Sequence, residues 1–128
     1  MSGDLFGQAV PTEVLLSPHL RLERVPSDTM EPTLRGGWDY VLVRPCTKYE
    51  GEGIYLVGNP FGSWDLRRAS NVLGGREQIR LTVDNKHYGD RLVSADWFDE
   101  NVLALVVADV KIRDQRLLEA TCRHGRAA

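Results

Sequence analysis

Apolar positions along this chain recur at every second residue in several short runs. Leu20 and Leu22 alternate with Arg21 and Glu23, the spacing of a half-buried strand that ends near Val25. Tyr40 to Val43 is a short β-rich run closed by Pro45, and Ile54 to Val57 is another, opened by Gly51 and Gly53. Asn59-Pro60 and Phe61-Gly62 mark a loop, after which Trp64, Leu66 and Arg68 share one strand face and Asp65, Arg67 and Ala69 the other. The clearest alternation pairs Ile79, Leu81 and Val83 with Arg80, Thr82 and Asp84; Gly74-Gly75 turns the chain into it and Asp84-Asn85 ends it. Val102 to Ala108 is apolar at every position, which predicts a strand covered on both sides, in the core or in a dimer interface. Val14 to Leu16 adds one short strand inside a Gly- and Pro-punctuated arm, and Arg113 to Ala128 reads as a short helix or turn with a loose end. About seven short strands with little helical periodicity predict a mostly-β fold. Its parts are an N-terminal arm or linker over 1–18, a domain over 19–112 and a C-terminal tail over 113–128.

Composition narrows this to one domain: 128 residues, 42% hydrophobic and 27% charged, suffice for a single core. A formal net charge of -2 gives no general electrostatic reason for binding nucleic acid or an anionic membrane. No apolar run approaches the roughly 18 residues a bilayer span needs, and no basic-then-apolar leader opens the chain. A soluble cytoplasmic protein with no membrane partner is therefore expected. Cys46 and Cys122 form no CxxC, so two free thiols are expected, with no metal site and no cofactor motif.

The stretch Val25 to Val43, VPSDTMEPTLRGGWDYVLV, joins two strands through a polar turn, an apolar Met30, Pro32 and the pair Gly36-Gly37. Two readings of the turn stand side by side. Asp28 with Glu31 has the spacing of a capping box, with Pro32 acceptable in a first helical turn and Met30 as a core plug. The same residues also resemble the nucleophile region of LexA-like self-cleaving repressors and of UmuD-like and phage repressor C-terminal domains. That region reads Gly-Asp-Ser-Met-x-Pro-Thr, then Gly-Asp and a Val-rich strand. Asp28, Met30, Pro32 and Thr33 match it, while Thr29 stands at the serine. The likeness continues through Gly53 to Val57, through Leu66-Arg67-Arg68 where the family carries its lysine, through Thr82 to Asn85 with Tyr88, and through Val102 to Val107. It spans about residues 20 to 112 and implies a LexA C-terminal-like compact β fold. Trp38, inserted between Gly37 and Asp39, and Ser27 in place of the first glycine depart from the pattern.

The resemblance places Thr29 and Arg67 in the two catalytic positions, supported by Asp28, Met30, Pro32, Asp84 and Asn85. In the family the serine attacks a peptide carbonyl after a neutral lysine amine takes its proton. Arginine cannot take that role, because its pKa of roughly 12.5 or more leaves five donors and no acceptor. Threonine is the milder change, although its extra methyl restricts χ1. Lys48, Lys86 and Lys111 lie off the lysine-bearing strand, which leaves His87 as the one substitute base, against the plainer reading of a solvated side chain. Neither family cleavage dipeptide, Ala-Gly or Cys-Gly, occurs before Thr29. Arg67, projecting toward Thr29, is expected to be a structural cation paired with Asp28 or Asp84. A second view gathers Arg67, Arg68, Arg76 and Arg80 into a small basic patch, interrupted by Asp65 and Glu77; a solvated face is the plainer reading.

Three functions are consistent with these residues. The first is a non-cleaving dimerisation or regulatory domain of a phage- or SOS-type transcriptional repressor, or a free-standing relative that acts as a homodimer. A UmuD-like accessory subunit differs from it only in its partner. The third is a serine-peptidase-like autoprotease using Thr29 with an unidentified base. DNA binding is expected only through a helix-turn-helix domain, which this chain lacks.

Overall fold

A computed structural model describes residues 9–72 and 77–124; the expected Gly74-Gly75 turn, Arg76 and the apolar Leu5-Phe6 piece lie outside them. The fold is mostly β, as the alternation predicts. Its strands are β1 (Arg21–Arg24), β2 (Tyr40–Pro45), β3 (Gly53–Gly58), β4 (Trp64–Asn71), β5 (Gln78–Thr82), β6 (Arg91–Ser94) and β7 (Val102–Val110). They form one seven-stranded sheet in the order β1-β2-β7-β3-β4-β5-β6, with every neighbouring pair antiparallel. Among the described residues three α-helices accompany it: α1 (Thr12–Leu15), α2 (Ala95–Asn101) and α3 (Gln115–Arg123). None of the described helices is long and apolar enough to cross a membrane.

The strand buried from both sides is β3. Its residues Tyr55 and Leu56 are wholly buried and point to opposite faces, each into its own core. On one face Tyr55, Val57, Ala69, Ile79 and Leu81 pack beneath α2. Ser94 caps this helix by accepting from Trp97 N at 2.9 Å, and buried Phe98 meets the Tyr55 ring edge-on at 5.0 Å. On the other face the segment between β1 and β2 lies across the sheet, where Val25, Met30 and Leu34 close over Leu56, Leu66 and Ala104. Met30 is thus a core plug.

The apolar run of β7 behaves differently from its expectation. Opposite β3, Leu56 faces Ala104 while Val57 faces Val102, so Leu103 is an extra residue; opposite β2, Val107 is skipped in the same way. Each bulge leaves its residue unpaired and turned outward, so Leu103 and Val107 are exposed. The bulge at Leu103 also changes which face follows: Val102 and Leu105 join one core, Ala104 and Val106 the other. A wholly apolar sequence here serves two cores in turn and is not covered on both sides along its length.

Two further expectations change. Val14 to Leu16 is not a strand: α1 occupies Thr12–Leu15 and Leu16 follows it, because no sheet edge reaches this segment and a short apolar run carries no preference for strand over helix. The β6-α2 unit was not anticipated. Only Val93 of β6 is buried, and a single buried residue leaves no alternation to read.

Candidate functional site

The site forms where the crossing segment passes the start of β4. Asp28–Met30 is a single 3-10 turn whose cap is Ser27, with the Ser27 side chain accepting from Thr29 N at 3.3 Å. The capping box expected between Asp28 and Glu31 does not form. Glu31 instead accepts from Gly36 N at 3.3 Å, and Asp28 accepts from the Tyr88 hydroxyl at 2.8 Å. Gly36 is needed here because a Cβ on it would stand 2.4 Å from the Ser27 carbonyl oxygen, a backbone atom that cannot swing aside.

Asp65, at the start of β4, is the centre of the cluster. Its carboxylate oxygens lie 2.8 and 3.0 Å from Ser27 Oγ, and Oδ1 lies 3.3 Å from Thr29 Oγ1. Oδ1 also accepts from Leu66 N at 2.8 Å, and Arg67 Nη1 is 3.4 Å from Oδ2. The same Nη1 donates a hydrogen bond to the Leu66 carbonyl at 2.8 Å. The carboxylate therefore stands between Thr29 and Arg67. Arg67 pairs with neither Asp28 nor Asp84; strand parity puts it on the same face as Asp65, two residues away, and the nearer anion takes it.

The Asp84-Asn85 turn is brought to the cluster from the opposite side. Asn85 Nδ2 donates to the Asp28 carbonyl at 2.9 Å, and Asn85 N donates to the Thr29 carbonyl at 2.9 Å. Thr33 Oγ1 donates to Asp84 Oδ2, and the Arg68 guanidinium grips the same carboxylate through Nε at 2.6 Å and Nη2 at 2.9 Å. Hydrogen bonding from Arg68, helped by Thr33, holds the Asp84 carboxyl below the usual carboxylate range. Behind the loop, buried Asp39 accepts from Arg35 N at 2.7 Å and from Lys111 Nζ at 2.8 Å. Burial pushes the Asp39 carboxyl up, and the Lys111 and Arg35 hydrogen bonds outweigh it, so its pKa falls. Pro32 is exposed and carries the chain on toward buried Leu34.

The structure thus assembles Asp28, Thr29, Met30, Asp84 and Asn85 around one loop, and Arg67 reaches Thr29 only through Asp65. Ser27 and Asp65 are the members that sequence reasoning missed. Asp65 shares a strand face with Arg67, and that parity was the available signal. Arg67 and Arg68 form no basic patch, since they occupy opposite faces of β4 and each is held by its own carboxylate.

Chemically, two hydroxyl groups converge on one carboxylate that also accepts from Leu66 N and stands in an ion pair with Arg67. Nothing in the cluster can act as a neutral amine base: Lys111 is committed to Asp39 and to the Thr33 carbonyl at 3.0 Å. The exposed His87 contributes only its backbone N–H, to Asn85 Oδ1 at 3.0 Å. Among the described residues no group of three His, Cys, Asp or Glu side chains could hold a metal ion. Fold and site define an antiparallel, mostly-β protein with a hydroxyl–carboxylate–guanidinium cluster locked beneath a crossing loop. No protein-family model matches this chain, and no curated protein matches it significantly in sequence.

Proposed function

We propose that this chain is a non-cleaving regulatory and dimerisation domain of the LexA-like or phage-repressor type, in a repressor or a free-standing cytoplasmic relative. One observation carries the reading. The partner of the Thr29 hydroxyl is the fully engaged Asp65 carboxylate, with a guanidinium behind it, where peptide attack needs a neutral base. General-base help is worth on the order of a hundred- to ten-thousand-fold, so a cluster without it holds the loop in shape and does not activate a nucleophile. The mostly-β fold and the gathering of Asp28, Thr29, Asp84 and Asn85 support the same reading.

Prolonged incubation at about pH 10, near the ordinary lysine pKa and so favourable to any amine base, tests it by intact-mass spectrometry. The expected outcome is an uncut chain, identical to Thr29→Ala. A discrete fragment pair that vanishes in Thr29→Ala would establish the peptidase reading instead.

A further inference from the structure

Beside the Asp65 cluster, between the start of β4 and the β6-α2 unit, lies a cavity of about 240 Å³. Arg67, Arg91, Asp65 and Asn59 line it, with Trp97 as its main apolar surface and the buried Leu81 and Val57 behind. Arg91 carries its guanidinium over the Trp97 ring, 4.6 Å from the centroid, a cation–π contact that restrains it. Among the described residues Arg91 forms no ion pair, whereas Asp65 is already shared by Ser27, Thr29, Leu66 N and Arg67. Two cations thus line the cavity with one carboxylate, and among the described residues the Arg91 side chain donates no hydrogen bond.

We propose that this cavity binds the carboxylate of an apolar ligand: the free C-terminus of a peptide, or a small aryl or alkyl acid. A guanidinium presents paired donors in a plane that match the two oxygens of a carboxylate. Arg91, held over the Trp97 ring, supplies that fork with less rotational freedom to lose on binding. Arg67 is spent on Asp65, so Arg91 supplies the net positive charge of the cavity. The half-buried Trp97 ring then gives an apolar group next to the carboxylate a surface to leave water for, which a bare inorganic anion cannot use. The Asp65 charge is neutralised locally by Arg67, so it does not repel the ligand from Arg91.

Isothermal titration calorimetry on the full chain tests this with three probes: an N-acetylated dipeptide of two apolar residues with a free carboxylate, its C-terminal amide, and 3-phenylpropionate. The free acid is expected to saturate, and the amide to bind at least about tenfold more weakly, since it loses the charge-assisted bonds. Arg91→Gln is expected to lose at least about tenfold in affinity with a melting curve little changed, because Arg91 is exposed, forms no ion pair among the described residues and touches α2 only through the Trp97 ring. A dipeptide tighter than 3-phenylpropionate identifies a peptide terminus as the ligand; equal affinities identify a small acid. No saturable binding up to about 10 mM, equal binding of acid and amide, or full affinity in Arg91→Gln would overturn the assignment. Carboxylate binding and self-cleavage are separate properties: a flat titration leaves the alkaline mass spectrum untouched, and a Thr29-dependent cut leaves the affinity untouched.

Discussion

At the scale of single residues, the loop over the sheet is held by ionised carboxylates more than by hydroxyls. Asp39 and Asp84 both have pKa values lowered by the fold, Asp84 chiefly through Arg68, and Asp39 because Lys111 and Arg35 outweigh the cost of burial. A carboxyl whose folded pKa lies below its unfolded value takes up a proton on unfolding, so its stabilisation is present above the unfolded pKa and is lost as pH falls through the folded one. Both groups start from a value of 3.8, so the protein is expected to lose stability below about pH 4 and to hold it between pH 5 and 7. Arg68 is substantially exposed, and solvent screening limits its pair to about 1 kcal/mol. Thermal melts across that range check this, and Asp84→Asn should melt several degrees lower at pH 7 yet show a shallower acid decline. An equally steep decline in Asp84→Asn would mean the acid response comes from elsewhere. The sequence named Asp84 as site support through its turn but paired it with the wrong arginine. Arg67 and Arg68 alternate in facing, and which of them meets Asp84 depends on how β4 lies against β5, which neighbouring letters do not encode.

At the scale of elements, what the sequence disclosed follows the strength of alternation. β5, with Ile79 and Leu81 buried in alternation, could be read directly, and β3, which buries Tyr55, Leu56 and Val57 in succession, was legible as an apolar run; β6 has only Val93, and α2 is seven residues long with a single fully buried side chain. The available signal for α2 was its start: Ser94 at the cap and Asp96 in the first turn, ahead of the aromatic pair Trp97-Phe98. That short helix nonetheless closes half of the core. Phe98 packs edge-on against Tyr55 and also against Tyr49, at 5.8 Å, so the helix is held chiefly by one ring between two others. Phe98→Ala is expected to cost about 3–5 kcal/mol, a truncation whose cavity the sheet cannot collapse to fill. Urea denaturation provides the measurement, and a loss under about 1 kcal/mol would show that α2 is peripheral to the core. The run in β7 was legible as a strand but not in its facing, because a bulge is a relation between two strands and leaves no mark in the composition of either.

For the molecule as a whole, α3 poses the remaining physical question. It is nine residues long, it is strongly amphipathic, and none of its residues is buried. An isolated helix of that length is marginal in water, and its stability must come from packing of its apolar face. Leu117 and Leu118 project from it in the exposed state, and Leu118 shares a groove of about 370 Å³ with Leu22, Trp38, Tyr40, Val110 and Ile112 at the β1 edge of the sheet. Leu22 and Trp38 are exposed as well. A contiguous apolar surface built from an edge strand and an unpacked helix fits a second copy of the chain, since a twofold contact would cover both at once. The protein is therefore expected to sediment as a dimer at tens of micromolar, the concentration range at which micromolar affinity is saturated. Leu118→Asp should yield a folded monomer, because the side chain is largely exposed and belongs to neither core. Val106→Asp, placed against the core beneath the crossing loop, should instead unfold the protein, burying a charge among Val25, Met30 and Leu66. A wild-type chain that sediments as a monomer, or a Leu118→Asp variant that remains a dimer, would remove α3 and the β1 edge from the interface.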